Sequence, residues 1–561
     1  MGKAGKNTDH SFLYTIFFIV YHIFFSSAIS KLALKELLKN LWIQDFFCKF
    51  PMADSVLVAC GTKKNTVRYR NKTLRYLTIC GKICMILSER GSYMKAGVLK
   101  ISPDSMLRDS PLKSIILFGL PIIFGSMFQQ LYSMVDSIVV GNFEGAGALA
   151  AVGSSATVCN FLVMVCAGFA NGASIVVSQL FGAGEHDKIK ATISTTLIFS
   201  VIFSVIMALV FAPLAPGVAR LVNVPEDIMD ASVTYMRIYC VGLIFLMLYN
   251  FFTAVLRSLG DSVTPLIFLV ISSLLNIVGD LFFVVGLGLG VAGVAWATVI
   301  AQGVSVLLCI IHIREKNRYF HFEKGEFVFS KQLFRYVMRM GIPSAVQNGV
   351  TNMGFIFVQG LVNSFSTMNI AAYTAAMKLE SLAMVPFGGI SQAFAVFAGQ
   401  NIGAGEVKRT KDGLRKSLIF VLILALSCSA IIFIVGPWLI EIFVGKSETE
   451  VILRGTAYLR TFCPLLAVHA IMSLFGSFLR GAGDSIMTMF IFLTDLGMRV
   501  LAAYAISLWM GVGFMGCAYA VPIGWFCAAV LAVGRYCSGK WKDKAVVSKS
   551  KPAVEESAAE V

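Results

Sequence analysis

The ionisable side chains inside long apolar stretches of this chain include Asp136, Asp280, Glu380, His469, Asp495 and several arginines. At the centre of a bilayer such a group costs roughly 2.5–3.5 kcal/mol on insertion scales, so each is a candidate for function. Asp136 sits five residues before Gly141, ~8 Å in from the end of its stretch at the rise of a helix. Asp280 comes just before a GLGLG turn, with Asn276 one helical turn deeper on the same face. Thr298 lies eight residues into the returning stretch, ~12 Å deep. Four oxygen-bearing side chains on three segments therefore share a depth. Two neighbouring carboxylates cannot both ionise cheaply in a low dielectric, and one proton or one Na⁺ would relieve them. Na⁺ would also use the oxygens of Asn276 and Thr298, whereas H⁺ needs a single carboxylate. The same residues could instead only cap or cross-link helices. The chain has no nucleophile motif, no metal-spaced histidine set and no phosphate-binding loop, so neither an enzyme nor an ATP-driven pump is expected. No cofactor beyond the coupling ion is expected.

The elements that position these residues follow from composition. Of 561 residues 57% are hydrophobic and 14% charged, with a mean hydropathy of +0.78; soluble domains carry about a quarter charged residues. Apolar runs recur from about residue 113 to 537, at 113–140, 147–180, 190–214, 231–254, 263–287, 291–312, 334–362, 369–401, 414–440, 450–478, 485–509 and 514–537. Each can cross ~30 Å of hydrocarbon as a helix. Continuous rather than alternating apolar runs exclude a barrel, so an all-α, polytopic protein of twelve spanning helices is predicted. The lipid bilayer is its first partner.

The formal net charge of +16 is concentrated between spans. Alternate connections carry Lys188 and Lys190, Arg257, Arg314 to Arg339, Lys408 to Lys416, Arg480 and the Lys-rich tail. The positive-inside rule accounts for this without nucleic acid as a partner and places both ends of the core in the cytoplasm. The 13 cysteines are scattered and lack metal spacing, so they read as small apolar residues. Residues 1–104 fit none of this. Segment 12–29 is apolar enough for a span or signal-anchor, the rest is basic, and translation from Met94 or Met106 would remove it. Residues 541–561 are expected to be a disordered cytoplasmic tail.

The chain also repeats itself. SIILFGLPIIFG is echoed by YVMRMGIPSAVQ, VSQLFGAGE by AGQNIGAGE, YMRIYC by YLRTFC, LRSLGDS by LRGAGDS and GLGVAGVAWA by GVGFMGCAYA, at offsets of 221 to 223. Five motifs in one register imply two six-helix lobes, 105–325 and 326–540, related by a parallel repeat as in rocking transporters. At this register Asp136 faces Val358, Asn276 faces Arg499, Asp280 faces Ala503 and Thr298 faces Val521. A purely architectural role should recur in both lobes; this cluster does not.

These motifs carry a family resemblance. Over roughly residues 106–540 the chain resembles the multidrug and toxic compound extrusion (MATE) family, through GLPIIFG…QQLY…VDSIVVG, GASIVVSQLFGAGE and ESLAMVPFGGISQAF…GQNIGAGE. The resemblance implies secondary antiport of small cationic, amphipathic compounds against H⁺ or Na⁺ across the plasma membrane, by a protein expected to be monomeric. It also implies that Asp136, Asn276 and Asp280 couple the cation, with Thr298 as fourth ligand. By the same token α-helix bending at Pro121 and cavity contacts from Gln129 belong to the transport cycle. A passive proline kink, and interhelical hydrogen bonds from Gln129 and Tyr132, remain open. Glu380 could face the second lobe's substrate cavity, or pair with Lys378 or a loop. Asp495 and Arg499, at i and i+4, would satisfy each other, and His469 reads as a packed polar residue. A rival within the wider superfamily, a flippase for lipid-linked oligosaccharides, would need arginines for phosphate; Arg237, Arg454 and Arg460 are available.

Overall fold

The structure is a computed structural model and describes residues 104–547 other than 223, 324, 446 and 447. The segments at 12–29, the rest of 1–103 and 548–561 lie outside the described residues. No strand occurs among those described. Among the described residues twelve long helical segments follow one another: α1 Pro111–Phe143, α2 Ala146–Ala183, α3 His186–Leu221, α4 Met229–Ser258, α5 Val263–Asp280, α6 Gly290–Lys316, α7 Lys331–Asn363, α8 Thr367–Gly403, α9 Val407–Val444, α10 Thr449–Gly481, α11 Ser485–Tyr504 and α12 Met515–Cys537. All but α7 are apolar as well as long enough to cross a membrane. α7 carries Arg335, Arg339, Gln347 and Asn348, and it packs against α2 of the other lobe rather than facing lipid alone. α10 is interrupted by a 3₁₀ turn at Cys463–Leu465, where Pro464 lacks the N–H its helix needs.

The repeat is visible in the packing. α1 packs on α5, α2 and α3 on α4, and both α4 and α5 on α6. In the second half α7 packs on α11, α8 and α9 on α10, and both α10 and α11 on α12. α3 and α9 form the rim, with apolar side chains such as Leu209 (70% exposed) and Ile434 (75%) turned outward to where lipid would lie. Between the lobes α1 meets α8 and α7 meets α2, an exchange the repeat requires, and α2 meets α8.

The lobes approach most closely at the end where α3 and α9 begin and α4 and α10 finish; these helix ends carry Lys188, Arg409, Arg257 and Arg480, and it is the basic end hereafter. There the backbones meet with no room for a side chain. A Cβ on Gly182 would fall 1.8 Å from the Gln400 carbonyl oxygen, and one on its repeat mate Gly403 would fall 2.0 Å from that of Gln179. Farther along, Cβ atoms on Gly168 and Gly172 of α2 would fall 2.3 and 2.5 Å from the Cα atoms of Ala345 and Gly341 of α7. The two fully buried glutamines hold this junction across the lobes: Gln179 Nε2 donates to the Gly481 carbonyl at 2.9 Å and Gln400 Nε2 to that of Ser258 at 2.8 Å.

The flanking segments are ordered too. The helix Ser105–Arg108 buries Met106, whose carbonyl accepts from Asn401 Nδ2 of the second lobe at 3.0 Å. Residues 541–547, expected as the start of a disordered tail, are packed instead: Trp541 is 2% exposed and meets Phe478 edge-on at 4.7 Å. The apolar surface that Trp541, Val546 and Val547 bury outweighs the polar character that the sequence shows farther on.

Candidate functional site

The first lobe brings its four oxygen-bearing residues together. Close α5–α6 packing, in which a Cβ on Gly279 would lie 3.0 Å from that of Ala297, sets Asn276 beside Thr298. Asn276 Nδ2 donates to Thr298 Oγ1 at 3.2 Å, and that hydroxyl donates to the Val294 carbonyl at 3.1 Å. One turn on, Asp280 is fully buried and faces Asp136 of α1, the two carboxyls within hydrogen-bond reach. Two carboxylates offer no donor to each other. Asp136 Oδ1 and both oxygens of Asp280 accordingly have no hydrogen-bond partner, and neither residue has an ion pair among the described residues.

Gln129 and Tyr132 lie on the same face of α1 as Asp136, three and four residues apart. Gln129 is exposed and hydrogen-bonds to the half-buried Tyr132. Pro121 lies inside α1 without ending it. Sequence reasoning missed Tyr235 of α4, which is 6% exposed and close enough to both aspartates to feel their charge. It stacks on Tyr239 with ring centroids 6.1 Å apart. Its motif, YMRIYC, served only to mark the repeat; a tyrosine placed at the same depth as two carboxylates was the available signal. After Asp280 the helix widens into a π-helical turn, Leu281–Gly286. The second lobe has its own at Ala505–Trp509, so the turn belongs to the architecture rather than to the site.

At the equivalent place the second lobe is apolar except for one residue. Val358, Ala503 and Val521 are buried, and Arg499, in the place of Asn276, donates from Nη2 to Glu380 Oε1 at 3.2 Å. This removes one alternative for Glu380 and corrects the expectation for Asp495. Glu380 pairs with Arg499 and not with Lys378, which lies over the Phe443 ring, 5.7 Å from its centroid. Asp495 is not the hydrogen-bonding partner of Arg499: its Oδ1 points at Gly524, where a Cβ would lie 2.6 Å away, and has no partner. Glu380 reaches across helices because its burial, at 5% exposure, demands a guanidinium of similar burial, whereas Lys378 can stay near the surface. His469 packs against Trp525 at 5.1 Å and Phe387 at 6.1 Å, as a packed polar residue would.

The first lobe thus holds an acidic pair with no cationic partner, able to take up one small cation, and in the second lobe Arg499 pairs with Glu380 and lies within charge reach of Asp495. No group of three or more His, Cys, Asp or Glu suited to a metal occurs among the described residues. Comparison with known proteins agrees with this architecture. Residues 121–282 and 343–507, one stretch in each lobe, match the MatE family. The probable multidrug resistance protein YoeA of Bacillus subtilis (strain 168) is 26% identical over 447 residues, 78% of this chain and 96% of that one. The probable multidrug resistance protein NorM of Thermotoga maritima is 24% identical over 448 residues, 78% of this chain and 95% of that one. The crystal structure of MATE in complex with MaL6 superposes with a TM-score of 0.74 over 79% of this chain and 99% of that one, at 23% identity, which shows the shared fold. Matched once in each lobe, this multi-pass membrane protein belongs to the MatE family of multidrug efflux transporters.

Proposed function

We propose that the protein exports cationic amphipathic organic compounds in exchange for H⁺ or Na⁺, and that the exchanged cation binds in the first lobe between Asp136 and Asp280. The observation that carries this reading is the adjoining pair of carboxyls in the interior of one lobe with no cationic partner, whereas Glu380 and Asp495 of the other lobe share Arg499. Two unit charges about 4 Å apart repel by about 4 kcal/mol at an effective dielectric constant of 20. A proton or Na⁺ removes that repulsion and lets α1 settle toward α5. A cationic substrate offered along the Gln129, Tyr132 and Asp136 face competes for the same negative charge, so one cation leaves as the other arrives. With the lobes closed at the basic end, and that end cytoplasmic, the described state faces outward, and the cation bound at Asp136 and Asp280 shifts its population against the inward-facing one.

The flippase reading finds little support in its arginines. Arg237 donates to the Ala212 carbonyl of rim helix α3 at 3.4 Å, Arg460 lies 4.9 Å over Phe433 of rim helix α9, and Arg454 is held by Glu450 and Asn369 at 2.7 Å each. Uptake of a fluorescent organic cation into inside-out vesicles under imposed H⁺ or Na⁺ gradients tests the proposal. Transport that neither gradient accelerates would overturn it.

A further inference from the structure

We infer that residues 541–547 form a latch that holds the two lobes shut at the basic end, and that transport requires its release. The inference takes the alternation of access from the reading above. After α12 the chain turns back over its own lobe. Trp541 stacks parallel to Tyr536 at 6.2 Å and donates from Nε1 to the Tyr536 carbonyl at 3.1 Å. The Lys544 carbonyl then rests on Gly483, in the α10–α11 turn, where a Cβ would come within 2.5 Å of it. From there the segment crosses between lobes. Ala545 packs against the second lobe's cluster, whereas Val546 and Val547 pack against the cluster that α2, α4 and α6 build with the start of α7. The backbone N–H of Val546 donates to Gln179 Oε1 at 2.7 Å, and that of Val547 to the same oxygen at 3.4 Å. Gln179 belongs to the first lobe, and its Nε2 is already committed to Gly481 of the second. Both polar atoms of one fully buried side chain are therefore tied across the junction.

The repeat shows that this contact is additional to the architecture. Gln400 makes the matching Nε2 bond, but its Oε1 has no partner. The chain that follows α6, the counterpart of the tail, stays on its own lobe. It makes a 3₁₀ turn at Arg318–Phe320, ion-pairs through Glu326 to Lys190 at 2.9 Å, and accepts from Ser194 Oγ at the Val328 carbonyl at 2.7 Å. That segment must go on to form the second lobe, whereas the tail has no such duty and is free to bridge. When the lobes part at this end, Gln179 moves away from Gly481 and from the tail, so the tail bonds oppose only that opening. Their loss leaves the interior of each lobe intact.

The test uses the full-length protein in lipid nanodiscs, with hydrogen–deuterium exchange at the ends of α2 (residues 178–184) and α8 (399–405). Val546→Pro removes the donor to Gln179, and a chain ending at Lys540 removes the latch entirely. One hydrogen bond is worth about a fivefold shift in the open population and the two together about tenfold or more, so amide exchange at these ends should rise about fivefold in Val546→Pro and at least about tenfold in the chain ending at Lys540. Exchange elsewhere should be unchanged. Wild-type exchange at these ends in both variants would overturn the latch, as would a uniform rise over all twelve helices, which would mean general destabilisation. Each variant is compared with wild type at one fixed ion concentration, so an Asp136→Asn protein that still transports normally would refute the coupling site and leave this difference standing.

Discussion

Replacing Asp136 by asparagine tests the coupling site at the smallest cost in shape. The side chain keeps its size and gains an amide that can donate to Asp280, so the fold should survive. What disappears is one of two mutually repelling charges. At about 4 Å and an effective dielectric constant of 20 that repulsion is about 4 kcal/mol, and it is the free energy by which an arriving cation is favoured. Its loss corresponds to a factor of several hundred or more in cation affinity, at 1.4 kcal/mol per tenfold. Gradient-driven efflux should therefore fall at least a hundredfold, while the amount of folded protein stays near that of wild type. The assay is export of a fluorescent organic cation from proteoliposomes under a H⁺ or a Na⁺ gradient, with size-exclusion profiles and thermal melting as the fold control. Wild-type efflux in Asp136→Asn would refute the reasoning. Full activity in the Asp136→Ala/Asp280→Ala double variant would move the ion elsewhere, with Glu380 the next residue to examine.

Three further predictions follow from the same geometry. If Na⁺ couples, Asn276→Ala and Thr298→Ala should each weaken the Na⁺ dependence of efflux at least tenfold, because each removes an oxygen; if H⁺ couples, Thr298→Ala should be mild while Asp136→Asn stays severe. Arg499→Met leaves Glu380 buried without a partner and should cost about 3–5 kcal/mol, read as a lowered melting temperature, and the double variant with Glu380→Gln should recover most of it. Gly182→Ala puts a methyl group 1.8 Å from the Gln400 carbonyl and should destabilise the closed junction by at least about 1–3 kcal/mol, seen as faster amide exchange at the ends of α2 and α8.

The twelve helices, their order and the two-lobe repeat are all legible in the residues, because a bilayer forces each apolar run to satisfy its own backbone as a helix. Depth is legible for the same reason. A fixed rise per residue places Asp136, Asn276, Asp280 and Thr298 at one level once the ends of their runs are known. A sequence cannot say which way each helix is turned, or which neighbour it turns toward. Glu380 shows this: Lys378 is two residues away, but the chosen partner is Arg499, 119 positions on, because packing of α8 against the rest of its lobe buries Glu380 where only a guanidinium from α11 can reach. Asp495 and Arg499 have the right spacing for a pair along one helix, but the deeper carboxylate of Glu380 takes the bond. Tyr235 reached the aspartates only once α4 took its rotation from contacts with α2, α3 and α6. The tail was judged by its polar composition, and its fate turned on two valines and a tryptophan that find apolar surface on different lobes. The valine contacts join residues hundreds of positions apart, as Val546 with Gln179, and the energy that selects them exists only when both lobes are folded and in place.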